Sequence, residues 1–303
     1  MKGLIKGSDL SNNEYHGNGT HYSSSQLKDA LDDPEIFYKK YISGELTAKK
    51  KEIPAFAQGT AFHTSILEPD KINEDFIVWQ GKSRRGKDWD RFKEEHKGKA
   101  IITLKEMEDV QMMVDATQAS PVAMDLLSEG EPELSLFVEL MGVPVKVRFD
   151  WINLENGYII DLKSSSGNVK NEYGIRGKVS SFQYDLSAAL YMDAVNEWIK
   201  QAKLPYPKVK RFYWIFASKD TGNCQTYQAS DKNLEVGRAK YRKALQLIKQ
   251  HSDNGWKFED DIKFLEPNPW EVVDWLDRKT ESPKQPKHKK VEKVREVNEL
   301  DIL

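Results

Sequence analysis

Two short segments, 143–152 (VPVKVRFDWI) and 158–165 (YIIDLKSS), read as neighbouring strands and hold most of the chemistry this chain offers. In an extended chain successive side chains point to opposite faces, so Asp161 and Lys163 share one face and Ile160 and Leu162 the other. Residues 153–157 (NLENG) join the segments, and their Asn156-Gly157 ending is a strong hairpin signal. A two-residue turn there sets Asp150 opposite Lys163 and one pleat from Asp161; a different loop length moves the pairing by a residue or two. Either register gathers two carboxylates and an ammonium. Residues 159–162 (IIDL) are too apolar for an exposed strand, so the group should line a buried cleft, where unpaired charge is costly. Two acids side by side repel unless a cation or a proton lies between them. A hard divalent ion with oxygen ligands, Mg²⁺ above all, is the natural occupant. The competing reading is a surface hairpin with a structural salt bridge.

Around this hairpin the chain reads as one mixed domain with a tail. Its 303 residues are 39% hydrophobic and 31% charged, enough apolar material for a core. A net charge of -2 excludes a polycation, so any nucleic-acid surface must be a local patch. The single Cys224 excludes an internal disulfide and any cluster needing several thiolates. No apolar run approaches the roughly 18 residues of a membrane helix, and the start lacks a secretory h-region, so a cytoplasmic protein without a membrane partner is expected. Helices are predicted over 26–31 after the caps Ser23, Ser24 and Ser25, over 56–67, after Thr103 to about 119, over 182–198, from Asp231 to about 251, and over 269–279. Strands are predicted over 133–138, 143–152, 158–164, 209–218 and 224–229, with polar connections over 82–99 and 165–178. Residues 1–20 read as a flexible arm and 280–303 as a lysine-rich linker and tail, in which Val291, Val294, Val297, Leu300 and Leu303 recur at three-residue intervals.

Several motifs follow one another in order: residues 23–27 (SSSQL), 58–63 (QGTAFH), 147–151 (VRFDW), 161–164 (DLKS) and 183–191 (QYDLSAALY). Together they resemble the PD-(D/E)xK nuclease superfamily, and within it the exonuclease VIII (RecE-type) branch, related to phage lambda exonuclease and RecB nuclease domains. The resemblance implies an α/β (α+β mixed) fold over 21–279, a restriction-endonuclease-like core with a central mixed sheet flanked by helices. It implies that Asp150 and Asp161 bind Mg²⁺ with help from the Leu162 carbonyl, Mn²⁺ substituting, and that Lys163 acts on the attacking water. His63 matches a histidine that RecB-like members place on the metal; otherwise it is a core histidine of its helix. Glu133 is either an extra acid at the metal or a solvated strand-end glutamate. Gln183 and Tyr191, two helical turns apart, belong with the helix that borders DNA in this group and are counted with the catalytic residues.

Three departures stand out: Phe149, not proline, precedes Asp150; the second acid is Asp161 rather than glutamate; and Ser187 stands where relatives carry the helix glutamine. For DNA contact, Ser23, Ser24 and Ser25 open a helix whose amides could hold a phosphate or be simply capped. Arg84, Arg85 and Lys87 form a basic loop that tracks a duplex backbone or is merely solvated, with Trp89 and Phe92 beside it as a possible base wedge. The implied activity is a Mg²⁺-dependent, ATP-independent 5′–3′ exodeoxyribonuclease that resects linear double-stranded DNA ends to 3′ single strands for recombination by strand annealing, in a phage or prophage setting. A ring-shaped homo-oligomer and a single-strand annealing protein as partner come with it. The chain has no GxxxxGK[ST] loop, consistent with no NTP use. An endonuclease of the same superfamily and a catalytically degenerate DNA-binding scaffold are the alternatives.

Overall fold

The structure is a computed structural model that describes residues 3–7, 9–46, 54–258, 262, 264–273 and 276. Contacts divide the chain into two units, Met1–Lys257 and Phe258–Leu303. The first opens with helices α1 (Asn12–Gly17), α2 (Ser24–Asp32), α3 (Pro34–Tyr41), α4 (Pro54–Leu67) and the short α5 (Ile72–Asp75). Strand β1 (Phe76–Trp79), α6 (Lys87–Glu95), β2 (Ala100–Thr103), α7 (Leu104–Gln118) and α8 (Pro121–Leu126) follow. Then come β3 (Glu131–Leu140), β4 (Val143–Asn153), β5 (Tyr158–Ser165), α9 (Glu172–Ser181), α10 (Tyr184–Gln201), β6 (Arg211–Ser218), β7 (Cys224–Gln228) and α11 (Asp231–Asp253). The second unit contributes α12 (Pro269–Val272).

Strands β3-β4-β5-β6-β7 form one sheet in that order, antiparallel except for the parallel β5–β6 pair. A parallel neighbour demands a crossover, and α9 with α10 supplies it. The sheet is a mixed one flanked by helices. Side chains of α2, α10 and α11 meet one face in a cluster holding Phe149, Ile159, Phe212 and Phe216. Those of α4 and α7 meet the other around Ile160, Leu162 and Ile215. Burying a large apolar side chain of this kind contributes roughly 1.5–3 kcal/mol. The close fit of α10 on α11 depends on Gly237, where a Cβ would come 2.0 Å from the Asp185 carbonyl oxygen.

Residues 3–7 and 9–20 are tied to the domain at several points, where their polarity suggests a loose arm. Ile5 pairs with Ser135 through two backbone hydrogen bonds of 2.9 and 2.8 Å, covering the β3 edge. Tyr15 is buried, and Lys146, only 1% exposed, donates from Nζ to the carbonyls of Tyr15 (2.8 Å) and Asn18 (2.7 Å) at the end of α1. The last carbonyls of a helix lack partners within it, and a buried ammonium satisfies them. No polarity count reveals this, because the anchoring group lies some 130 residues away. Lys146→Met is expected to destabilise the protein by about 3 kcal/mol, since the carbonyls lose charge-assisted hydrogen bonds that are costly to leave unmade. Urea unfolding measures it, with earlier proteolysis near residue 20 as the local sign.

Other predicted elements shift for identifiable reasons. Thr103 caps α7 as expected, but α11 is capped by Ser230 rather than Asp231, in a capping box with Asn233. The helix predicted from 182 starts at Tyr184, because Gln183 adopts φ +50° and separates α9 from α10. The segment 165–178 was expected as a polar connection, yet it contains most of α9, anchored by Ile175 and Val179 one turn apart. Residues 82–99 contain α6, and Trp89 is 6% exposed, packed edge-on against Trp79 at 5.5 Å. Trp89 is therefore a packing residue and not a base wedge. Residues 274, 275 and 277–279 of the last predicted helix lie outside the described residues, as does the whole tail 280–303.

Candidate active site

The hairpin between β4 and β5 pairs Trp151 with Ile160, Ile152 with Ile159 and Asn153 with Tyr158. Its loop is four residues, 154–157, closed by the Asn156 N–H donating to Asn153 Oδ1 (2.7 Å) and by Gly157 at φ +64°. The two-residue turn is thereby corrected: continued one step, the register sets Asp150 level with Asp161, not Lys163. On its other side β4 pairs Trp151 with Pro132 and Phe149 with Leu134, which sets Asp150 level with Glu133. Glu133, Asp150 and Asp161 thus occupy one level across three neighbouring strands. The ladder is interrupted there. Glu133 takes φ +51°, a left-handed conformation unfavourable for a residue with a side chain, and the Leu162 N–H donates to Asp150 Oδ2 (2.8 Å). Strain of this kind persists where surrounding structure enforces it, and it concentrates at functional sites.

His63, from α4, completes the group. Its Nε2 lies 2.9 Å from the Leu162 carbonyl oxygen, which can only accept, so Nε2 carries the hydrogen. In the neutral ring Nδ1 is then an acceptor, and it faces Asp150 Oδ2 at 3.6 Å. Two acceptors turned toward each other call for a cation or an extra proton between them. The Leu162 carbonyl, expected as a ligand, here fixes the histidine ring, the outer support usual for a metal-binding imidazole. His63 is half-buried and lines the cleft rather than lying sealed in the core. Donor atoms of His63, Glu133 and Asp150 all lie within 4.8 Å of one another, and no other trio of potential ligands among the described residues does so.

The electrostatics fit a cation. Burial, then the charge of Asp150, pushes the Glu133 carboxyl up to about 8, against the opposing pull of Arg148. Burial also raises Asp161, which Lys163 counters through an ion pair of 2.6 Å. Burial disfavours the Lys163 ammonium, but Asp161 and Asp150 outweigh it and hold this group above its ordinary value. A divalent cation taking carboxylate oxygens and one imidazole suits this donor set. A divalent cation binding at Glu133 must displace its proton, so its affinity is expected to rise by up to about tenfold per pH unit below 8 and level off above it. Calorimetry at pH 6 to 9 in buffers of different ionisation enthalpy measures the affinity and the protons released.

Asp161 stands apart from the trio, committed to Lys163, and the two share a face as their spacing predicts. The Tyr184 ring, which the sequence did not single out, lies 5.0 Å from Lys163 Nζ. Arg148 was also missed, although it sits two residues before Asp150 on the same strand and lines the same cleft. That cleft, of about 990 Å³, is lined by His63, Glu133 and Asp150 together with Ser23, Ser24 and Ser25. The serines are delivered by Tyr22, whose N–H and carbonyl bond to Pro144 and Lys146 on β4 (3.0 Å each), and Ser23 then caps α2. Tyr191 also lines the cleft; burial raises its hydroxyl well above the ordinary value, and its oxygen lies 3.5 Å from Ser24 Oγ.

Gln183 does not share a helix face with Tyr191. It lies before α10 and donates to Asp32 on α2 (3.1 Å). Arg84 is half-buried and held by Glu106 and the Ile101 carbonyl, which leaves Arg85 and Lys87 as the exposed members of the expected basic loop.

A mixed sheet with acids at one level on three strands, and a lysine two residues beyond the third, defines a nuclease fold of the PD-(D/E)xK type. Residues 23–257 match the PDDEXK-like domain of unknown function (DUF3799), and the chain belongs to that family. In fold it is similar to a candidate exonuclease from Eubacterium rectale, known from a crystal structure, with a TM-score of 0.59 and 15% sequence identity over 91% of this chain and 99% of that one. SSO0001 aligns over 74% of this chain and 85% of its own at 11% identity, but a TM-score of 0.25 carries no argument. No curated protein matches the chain. No helix among the described residues is long and apolar enough to cross a membrane.

Proposed function

We propose that this protein is a Mg²⁺-dependent DNA nuclease that hydrolyses phosphodiester bonds. The supporting observation is the level of three acids, Glu133, Asp150 and Asp161, the last paired with Lys163, beside a cleft that His63, Glu133, Asp150 and the start of α2 line together. His63, Glu133 and Asp150 would hold the cation, with Asp161 as the neighbouring carboxylate; Mn²⁺ should substitute. When bound, the cation supplies Lewis-acid activation of the phosphate and of an attacking water. Lys163, held as an ammonium, offsets negative charge building on the phosphate oxygens and orients the water. The amides that open α2 suit a backbone phosphate entering the cleft. Tyr191, un-ionised, adds a hydroxyl beside it.

The finer reading is an ATP-independent exodeoxyribonuclease that degrades linear duplexes in the 5′–3′ direction. It rests on the RecE-type resemblance and is in keeping with the name of the Eubacterium rectale neighbour. A homo-oligomeric ring, an annealing partner, a role in phage or prophage recombination, a cytoplasmic location and a nuclease domain over 21–279 belong to the same proposal. Digestion of a linear duplex labelled separately at its 5′ and 3′ ends, beside a covalently closed circle, tests it. Early loss of the 5′ label with the circle intact is the expected result. Cutting of the circle would make the protein an endonuclease, and loss of the 3′ label first would reverse the direction.

A further inference from the structure

Beyond Lys163 strand β5 ends with Ser164 and Ser165, which with the following Ser166 line a second cavity of about 320 Å³ together with Lys178 and Lys219. Two strand residues carry Ser165 about 7 Å beyond Lys163 on the same face. Helix α4 connects the two places as well: Gln58 lines this cavity, and His63, about 7.5 Å further along the axis, lines the active cleft. Lys178 Nζ donates to Ser165 Oγ and to the Ser166 carbonyl, and Lys219 Nζ donates to Gln58 Oε1 (3.1 Å). Neither ammonium forms an ion pair with a carboxylate among the described residues. The nearby Asp220 is engaged by the Gly167 N–H (2.7 Å). Burial lowers the Lys178 ammonium below its ordinary value, against the opposing pull of the Asp220 charge. Phe182 also lines the cavity; it is 57% exposed and stacks on Tyr184 at 5.5 Å and 22°, and Tyr184 in turn meets Lys163.

Two ammoniums held by neutral partners beside hydroxyls suit a phosphate, and an exposed aromatic face suits a base. We propose that this cavity holds the nucleotide next to the bond cut at Lys163, its phosphate between Lys178 and Lys219 and its base on Phe182. The proposal rests on the nuclease reading above, which supplies the strand.

The test is binding of the full-length protein to a fluorescent 12-base-pair duplex in Ca²⁺, in parallel with Mg²⁺-supported digestion. Compared are wild type, Lys178→Ala with Lys219→Ala, Lys178→Arg with Lys219→Arg, Phe182→Ala, and the remote exposed pair Lys243→Ala with Lys249→Ala, with melting curves to verify folding. The alanine pair is expected to weaken binding at least tenfold and to flatten its salt dependence by about one counter-ion. Phe182→Ala should weaken it at least fivefold, while the arginine pair and the remote pair stay within about twofold of wild type. Cleavage by wild type with equal affinity in all folded variants, or equal losses in the cavity and remote pairs, would overturn the subsite and leave the nuclease reading standing. Absence of DNA binding by wild type would overturn both. Binding of dAMP by wild type, lost in the alanine pair while duplex affinity is kept, would assign the cavity to a free nucleotide and overturn the strand subsite.

Discussion

Asp150→Asn is expected to leave the fold in place and reduce DNA hydrolysis by about four decades. Asparagine keeps the shape of the side chain, and its carbonyl oxygen can still accept the Leu162 N–H that Asp150 Oδ2 accepts at 2.8 Å. What disappears is the charge at the centre of the group, level with Glu133 on one side and Asp161 on the other. Asp150 also faces His63 Nδ1 at 3.6 Å. A drop of four decades corresponds to roughly 5 kcal/mol of lost transition-state stabilisation, the scale of a catalytic cation. Mg²⁺ affinity should fall with it, read by calorimetry. Glu133, relieved of a neighbouring charge that raises it, should titrate closer to the ordinary carboxylate range. Near-wild-type hydrolysis by a folded Asp150→Asn protein would remove the metal site from the mechanism.

The second large effect is expected at Lys163. Lys163→Ala should abolish turnover while Mg²⁺ binding persists or tightens, because a positive charge beside the cation is gone. Its partner Asp161 is then buried without a counter-ion, and breaking such a pair costs about 3–5 kcal/mol. The metal-free variant should therefore melt earlier than wild type and gain more from added Mg²⁺. Lys163→Arg is not expected to restore activity, since a planar guanidinium occupies different space beside Asp161 than a compact ammonium does. Calorimetry with Mg²⁺ separates two roles: loss of cation binding along with activity would make Lys163 a structural salt-bridge partner.

What could be read from the sequence was set by the range over which each signal acts. Asp161 and Lys163 share a face because strand alternation needs only adjacent residues, and Ile160 and Leu162 are buried on the opposite side. The cap at Thr103 is equally local. Register is different: Asn156-Gly157 marks the hairpin, but the loop also uses residues 154 and 155, so Asp150 lands beside Asp161. The place of Glu133 follows from a second register, β3 on β4, that no short pattern encodes. Strands β1 and β2 are four residues each and pair in parallel across an intervening helix, too short for a periodic signal. Helix α9 was hidden by Gly174 and Gly177, poor helix formers that leave only Ile175 and Val179 as its stripe. Lys146 and Arg84 look like surface charges until the carbonyls and the carboxylate that hold them come into view.

The central claim is that this cleft cuts DNA with a divalent cation, and release of nucleotides tests it most directly. Purified protein, stripped with EDTA and returned to Mg²⁺, is incubated with uniformly labelled linear duplex, and acid-soluble label is followed over time. Release that requires Mg²⁺ or Mn²⁺, stops on chelation and falls by about four decades in Asp150→Asn is the expected result. No release by folded wild-type protein from linear, circular or single-stranded DNA with either cation would contradict it.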